Sequence, residues 1–241
     1  MNEPNSPAAG LPRRELLLGA GATGLGALLA RPTLAGPAPG PALGPLAPTH
    51  PARRVLRGGA CPMLVEQIEG PFYLDLGLVR QDITEGQPGL PTTLIFLVVD
   101  RDTCQPIPGA IVDVWHNNAL GQYSGFPVKG TTGETWLRGI QIADASGLVF
   151  FQSIFPGWYA GRTTHIHLKV RPTPGVVATT QMYFDDFLPN FLYPLFQPYA
   201  QKGLKDTSNA QDAFYSPQMK GSFAANPDGS VSLWAGMILG V

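Results

Sequence analysis

Between Tyr159 and His167 the chain reads YAGRTTHIH, which sets a phenol, a guanidinium and two imidazoles within nine residues. Such a density of donors suggests a metal site. In a strand, His165 and His167 project from the same face one pleat apart, so two imidazoles come within reach of one ion. An H-x-H pair taken alone is more often the polar side of an ordinary strand, and its neighbours decide the matter. No H-E-x-x-H occurs, and no group of Asp or Glu stands nearby to complete a coordination sphere. Tyrosines do stand nearby. Tyr159 follows the turn Phe155-Pro156-Gly157-Trp158, and Tyr123 lies in HNNALGQYSG, just after AIVDVWH. A phenolate is a hard anionic oxygen donor that suits a strongly Lewis-acidic trivalent ion. Two tyrosinates with two neutral histidines would cancel two of the three charges of ferric iron, which favours Fe(III) over Zn(II). Copper redox chemistry is disfavoured, because no Cys or Met ligand stands beside HIH.

The elements that must position these groups are short. The 29 Gly and 25 Pro of the 241 residues favour many brief elements joined by turns, and a hydrophobic fraction of 44% allows a sizeable core. Residues 92–99 (TTLIFLVV) and 110–116 (AIVDVWH) predict two strands, and 147–153, 166–171, 177–184 and 231–239 predict four more between turn residues. Residues 185–201 leave room for a short helix between prolines. The expected fold is all-β: a β-sandwich with short helices and long loops, forming a single domain. His116, at a strand end after Trp115, is expected to be structural.

The N-terminus reads as an address. Arg13-Arg14 precede an uncharged run, 16–30, that is shorter and more diluted with Gly, Ala and Thr than a transmembrane helix requires. Residues 1–35 therefore predict a twin-arginine-type signal peptide, and hence export to the periplasm or the exterior. A Pro/Gly/Ala-rich spacer follows over 36–60, then a domain over 61–241. Cys61 and Cys104, the two cysteines, are expected to pair as a disulfide in an exported protein. The formal net charge of −1, with no basic cluster beyond the N-terminus, excludes phosphate-driven nucleic-acid binding. No stable membrane span is expected. Sheet edges and residues 185–199 offer surfaces for homo-oligomerisation.

Taken in order, EGPFY, GAIVDVWHNNALGQYSG, LRGIQIADASGLVFF, FPGWYAGRTTHIHLKV and TTQMYF resemble the intradiol ring-cleavage dioxygenases, in particular an exported, signal-bearing branch. The resemblance runs from about Cys61 to the C-terminus, and its most specific part is the Tyr, Tyr-Gly-Arg, His-x-His set. It implies a β-sandwich with a mononuclear nonhaem Fe(III) site that opens catechols between the hydroxyl-bearing carbons using both atoms of O2. Carried onto this chain, it implies Tyr123, Tyr159, His165 and His167 as iron ligands, with Tyr159 the one that leaves when substrate arrives. It implies Arg162 beside the site as the stabiliser of charge on the ring, and Gln181 near the bound ring. Gly70 and Pro71 match the segment that shapes the substrate pocket, with Tyr73 a further candidate. A noncatalytic extracytoplasmic module, binding an aromatic or a carbohydrate and holding a structural metal, stays open beside it.

Overall fold

The computed structural model describes residues 63–226 and 230–241. The expected signal and spacer, and Cys61, lie outside these residues. Cys104 is exposed and free at a left-handed turn position.

The expected strands form, with bounds shifted by a residue or two. They are β1 (Pro91–Val99), β2 (Ile111–Trp115), β4 (Leu148–Ile154), β5 (His165–Arg171), β6 (Ala178–Tyr183) and β8 (Leu233–Gly240). Two further strands, β3 (Arg138–Ile142) and β7 (Ser222–Ala225), complete a pair of four-stranded sheets ordered β4-β1-β8-β7 and β3-β2-β5-β6. All the named pairings are antiparallel except β1 with β8. Residues 185–201 hold one six-residue helix, α1 (Phe187–Leu192), and a 3-10 turn at Tyr199–Gln201. No helix among the described residues is long and apolar enough to cross a membrane.

The core lies between the sheets, where Leu94, Phe96 and Val98 of β1 meet Val112 and Val114 of β2 and Ile166, Leu168 and Val170 of β5. Because strand side chains alternate, packing Ile166, Leu168 and Val170 inward turns His165, His167 and Lys169 to the other face of the same sheet. That face is not open to water: His165 and His167 are 1% exposed and Lys169 is 8% exposed. Segments before β1 and after α1 cover it, as hydrogen bonds from Gln181 to Ile68 and from Arg162 to Asp212 attest. The fold thus builds a second, polar interior on the outer side of one sheet.

Candidate metal centre

Register brings the histidines together with their neighbours. His165 stands opposite Tyr183 of β6, and His167 is flanked by Gln181 of β6 and Trp115 of β2. The two Nε2 atoms are 3.2 Å apart, and Tyr159 Oη lies 3.3 Å from His165 Nε2. Tyr123, from another strand's exit loop, has its ring 5.8 Å from that of Tyr159 and 6.2 Å from that of His167. Tyr123 is 1% exposed, and among the described residues its hydroxyl has no hydrogen-bond partner.

Protonation follows from the contacts. His165 Nδ1 is 2.6 Å from the Thr163 carbonyl, which can only accept, so Nδ1 carries the proton and Nε2 presents a lone pair. Burial, then the nearby Arg162 charge, pushes the His165 pKa down to about 3. Burial also pushes His167 well below its ordinary value, with His165 adding to the effect. Burial thus favours the neutral form of both rings. Two imidazoles with facing Nε2 atoms have at most one shared proton between them, and burial drives Tyr123 well above the ordinary tyrosine value, with Tyr159 adding to it. Leaving a buried hydroxyl unsatisfied costs about 1–3 kcal/mol, and a cation among these atoms removes that cost. Among the described residues no three His, Cys, Asp or Glu side chains gather into a metal-binding group. The available donors are two imidazoles and two phenols, a set that fits a hard trivalent ion.

The loops that bear the tyrosines are pinned to each other. Asn118 Oδ1 accepts from the Leu120 and Gln122 amides and shapes the approach to Tyr123. Thr131 donates to the Tyr123 carbonyl, and Ser124 donates to that of Trp136. At Gly121, φ is +80° and a Cβ would fall 1.9 Å from the Trp158 carbonyl oxygen, so only glycine allows this approach. Lys202 closes the junction by donating to the carbonyls of Leu120 and Trp158.

Arg162 lies against the cluster. Its Nη1 is 3.4 Å from Tyr159 Oη, its Nη2 donates to Gln181 Oε1 at 2.5 Å, and its Nε donates to Asp212 Oδ2 at 2.8 Å. Gln181 is fully buried and donates in turn to the Ile68 carbonyl. Gly70 faces His167, since a Cβ there would sit 3.4 Å from the ring, and Pro71 follows it in the covering segment.

Two contributors escaped the sequence reading. Phe72 stacks on Tyr123 at 4.4 Å and meets Tyr159 edge-on at 5.9 Å, so Phe72 rather than Tyr73 lies against the donors. EGPFY signalled the segment, but not which aromatic would turn inward. Asp212 lies 50 positions from Arg162 with no motif around it. Tyr73 is one ring removed: it packs on Trp115, which itself stacks on His167.

A family profile described as Dioxygenase matches residues 68–213, more than half of the chain. The chain belongs to the intradiol ring-cleavage dioxygenase family. It is similar to an intradiol ring-cleavage dioxygenase from Tetranychus urticae, with 29% identity and a TM-score of 0.66, covering 75% of this chain and 94% of that one. It is also similar to the dioxygenase domain of a dioxygenase carbohydrate-binding protein fusion from Streptomyces sp. SirexAA-E, with 28% identity and a TM-score of 0.56, covering 73% of this chain and 96% of that one. Among curated proteins, catechol 1,2-dioxygenase 1 of Acinetobacter lwoffii is 27% identical over 150 residues, 50% of this chain and 48% of that protein. The chain spans about half the length of the curated relatives it matches. The segment shared with the dioxygenase family contains Gly70, Tyr123, Tyr159, Arg162, His165, His167, Gln181 and Asp212, whereas β7 and β8 fall outside it.

Beyond Trp115 the same face holds a titratable group. Asp113 accepts a hydrogen bond from Tyr73 at 2.9 Å, Arg171 donates to the Tyr73 hydroxyl, and Lys169 pairs with Glu69 above the Tyr73 ring. Burial, only partly offset by Tyr73, Arg171 and Lys169, raises the Asp113 pKa from 3.8 to about 6. The folded state therefore binds the extra proton between about pH 4 and pH 6, and Asp113 makes stability fall as pH rises through that window, then level off. Unfolding free energies should show wild type losing stability relative to Asp113→Asn across this window. A difference independent of pH would contradict the assignment.

Proposed function

We propose that this chain is an Fe(III)-dependent enzyme that cleaves a catechol-type diol between its hydroxyl-bearing carbons with O2, giving a cis,cis-muconate-type dicarboxylic acid. The observation that carries the reading is the convergence of Tyr159, His165 and His167 beside a Tyr123 hydroxyl that, among the described residues, has no hydrogen-bond partner, with no carboxylate of those residues joining the two histidines. The family and its catechol and chlorocatechol 1,2-dioxygenase relatives support it. Tyr123, Tyr159, His165 and His167 would hold the ion. When bound, ferric iron would draw electron density from a chelated diol and so make a ring carbon reactive toward O2.

The residues divide the remaining work. Tyr123, fully enclosed and stacked on Phe72, stays in place. Tyr159, only partly buried, would give way to the diol and accept one of its two protons at Oη, the other leaving to bulk water. Arg162 Nη1 stands ready to receive that hydroxyl, while the guanidinium offsets negative charge on the ring. Gln181 keeps Nη2 aimed along the same side. Phe72 and Trp115 exclude water behind Tyr123 and His167.

Incubating iron-loaded protein with a panel of diols while following oxygen uptake and product absorbance tests the reading. A muconate-type product is expected; a yellow semialdehyde, or tight diol binding without oxygen uptake, would overturn it, the latter in favour of a noncatalytic module. Export is proposed on Arg13-Arg14 and the run after them. Fractionation should find the protein outside the cytoplasm, and a lysine pair at these positions should retain it inside. Unchanged location of that variant would count against the signal.

A further inference from the structure

We infer that Asp212 is a positioning residue that aims Arg162 and sets the approach to His165 with a single carboxylate oxygen. The inference rests on the proposed function and deepens it. Asp212 Oδ2 accepts from Arg162 Nε at 2.8 Å and from the Thr163 amide at 2.9 Å, while Oδ1 accepts from the Phe214 amide at 2.9 Å. Its side chain is wholly enclosed, and that of Arg162 is 12% exposed. Phe214 closes the other side, with the Arg162 guanidinium 4.8 Å from its ring centroid.

The consequence is geometric. A planar guanidinium gripped at Nε has no freedom to rotate its two terminal nitrogens, so fixing Nε fixes where Nη1 and Nη2 point. Here they point at Tyr159 Oη and Gln181 Oε1. Thr163, held by the same oxygen, supplies the carbonyl that orients the His165 ring. One carboxylate therefore couples the placement of the charge-stabilising group to the placement of an imidazole donor. Without it, the arginine would keep a positive charge in a largely enclosed setting with no carboxylate to pair it.

The test compares Asp212→Asn with wild type and with Asn209→Ala. Asn209 ties the same loop to Thr163 Oγ1 and to the Phe184 carbonyl but makes no hydrogen bond to Arg162. In iron-loaded protein, Asp212→Asn should lower kcat about 10- to 100-fold, the scale expected when a reacting group is misplaced by about 1 Å. KM should change by less than about threefold, and adding Asp212→Asn to Arg162→Met should cost clearly less than Asp212→Asn costs alone, because the carboxylate acts largely through the arginine and only the remainder through its hold on Thr163. Asn209→Ala should keep kcat and lose only thermal stability. A second readout needs neither iron nor turnover: in metal-free protein the Arg162 Nε–H proton resonance, assigned by its loss in Arg162→Lys, should be protected from solvent exchange in wild type and lose that protection in Asp212→Asn. Unchanged kcat with an unchanged resonance would overturn the inference, as would full additivity with Arg162→Met. If wild type turns over no diol, the proposed function fails alone, and the resonance still decides whether Asp212 holds Arg162. Should Asp212→Asn not fold, Asp212→Glu, which keeps the charge but displaces the carboxylate by one methylene, is read by the same two outcomes.

Discussion

Replacing His167 by alanine is expected to leave a folded protein that retains no iron and turns over diol more than about 100-fold slower, because losing a ligand must exceed the 10- to 100-fold cost of losing a group behind one. The ring stacks on Trp115 at 4.9 Å, its Nε2 lies 3.2 Å from His165 Nε2, and its Nδ1 has no hydrogen-bond partner among the described residues. Among the described residues, its Nε2 makes its one hydrogen-bonding contact with His165. His116 makes the informative contrast. It is just as buried, but its two ring nitrogens are met by the Asn117 carbonyl and Ser153 Oγ, each at 2.8 Å. Alanine at His116 should therefore lower the melting temperature and leave iron content unchanged. Metal analysis of both variants, with thermal melts alongside, checks the pair. Iron retained by His167→Ala, or lost by His116→Ala, would reverse the assignment.

The two tyrosines should respond in opposite ways. Tyr123→Phe is expected to lose iron and the tyrosinate-to-iron absorption, since its hydroxyl lies fully enclosed with no hydrogen-bond partner among the described residues. Tyr159→Phe should keep iron, yet bind diol differently and turn over about 100-fold slower or worse, the scale of a lost proton acceptor. The asymmetry has a physical source. Tyr159 sits partly exposed beside Arg162, where a displaced hydroxyl finds a cation 3.4 Å away, whereas Tyr123 has Phe72 stacked 4.4 Å from it and, among the described residues, no hydrogen-bond partner for its hydroxyl. Visible spectra and iron content of each variant, before and after adding diol without oxygen, make the comparison. Iron lost from Tyr159→Phe but kept by Tyr123→Phe would invert the roles.

Much of this arrangement is legible in the residues, and what is not has identifiable reasons. Strands β1 and β5 announce themselves, the first as a continuous apolar run rich in Thr, Ile and Val, the second by apolar alternation with its histidines. β3 reads RGIQI, with too few β-formers to stand out, and it forms because β2 offers it a partner from Trp115 to Ile111. β7 reads SFAA and lies at a sheet edge, mostly exposed, so no apolar pattern marks it. The donor set was visible because phenols and imidazoles carry chemistry wherever they fall. Phe72 and Asp212 were not, because their part is set by which residue of a covering segment turns inward. That depends on tertiary contacts such as Arg162 with Asp212 and Phe72 with Tyr123, separated by tens of positions in the chain. Tyr73 shows the same limit: adjacent to Phe72, it turns instead toward Asp113.

The proposed iron site, two tyrosines and two histidines around one ion, lies on the outer side of the β3-β2-β5-β6 sheet. Anomalous diffraction at the iron edge from crystals of iron-loaded protein tests it most directly. A single peak within bonding distance of Tyr123 Oη, Tyr159 Oη, His165 Nε2 and His167 Nε2 is the expected result; a peak elsewhere, or stoichiometric zinc at this place after expression with ample iron, would contradict it.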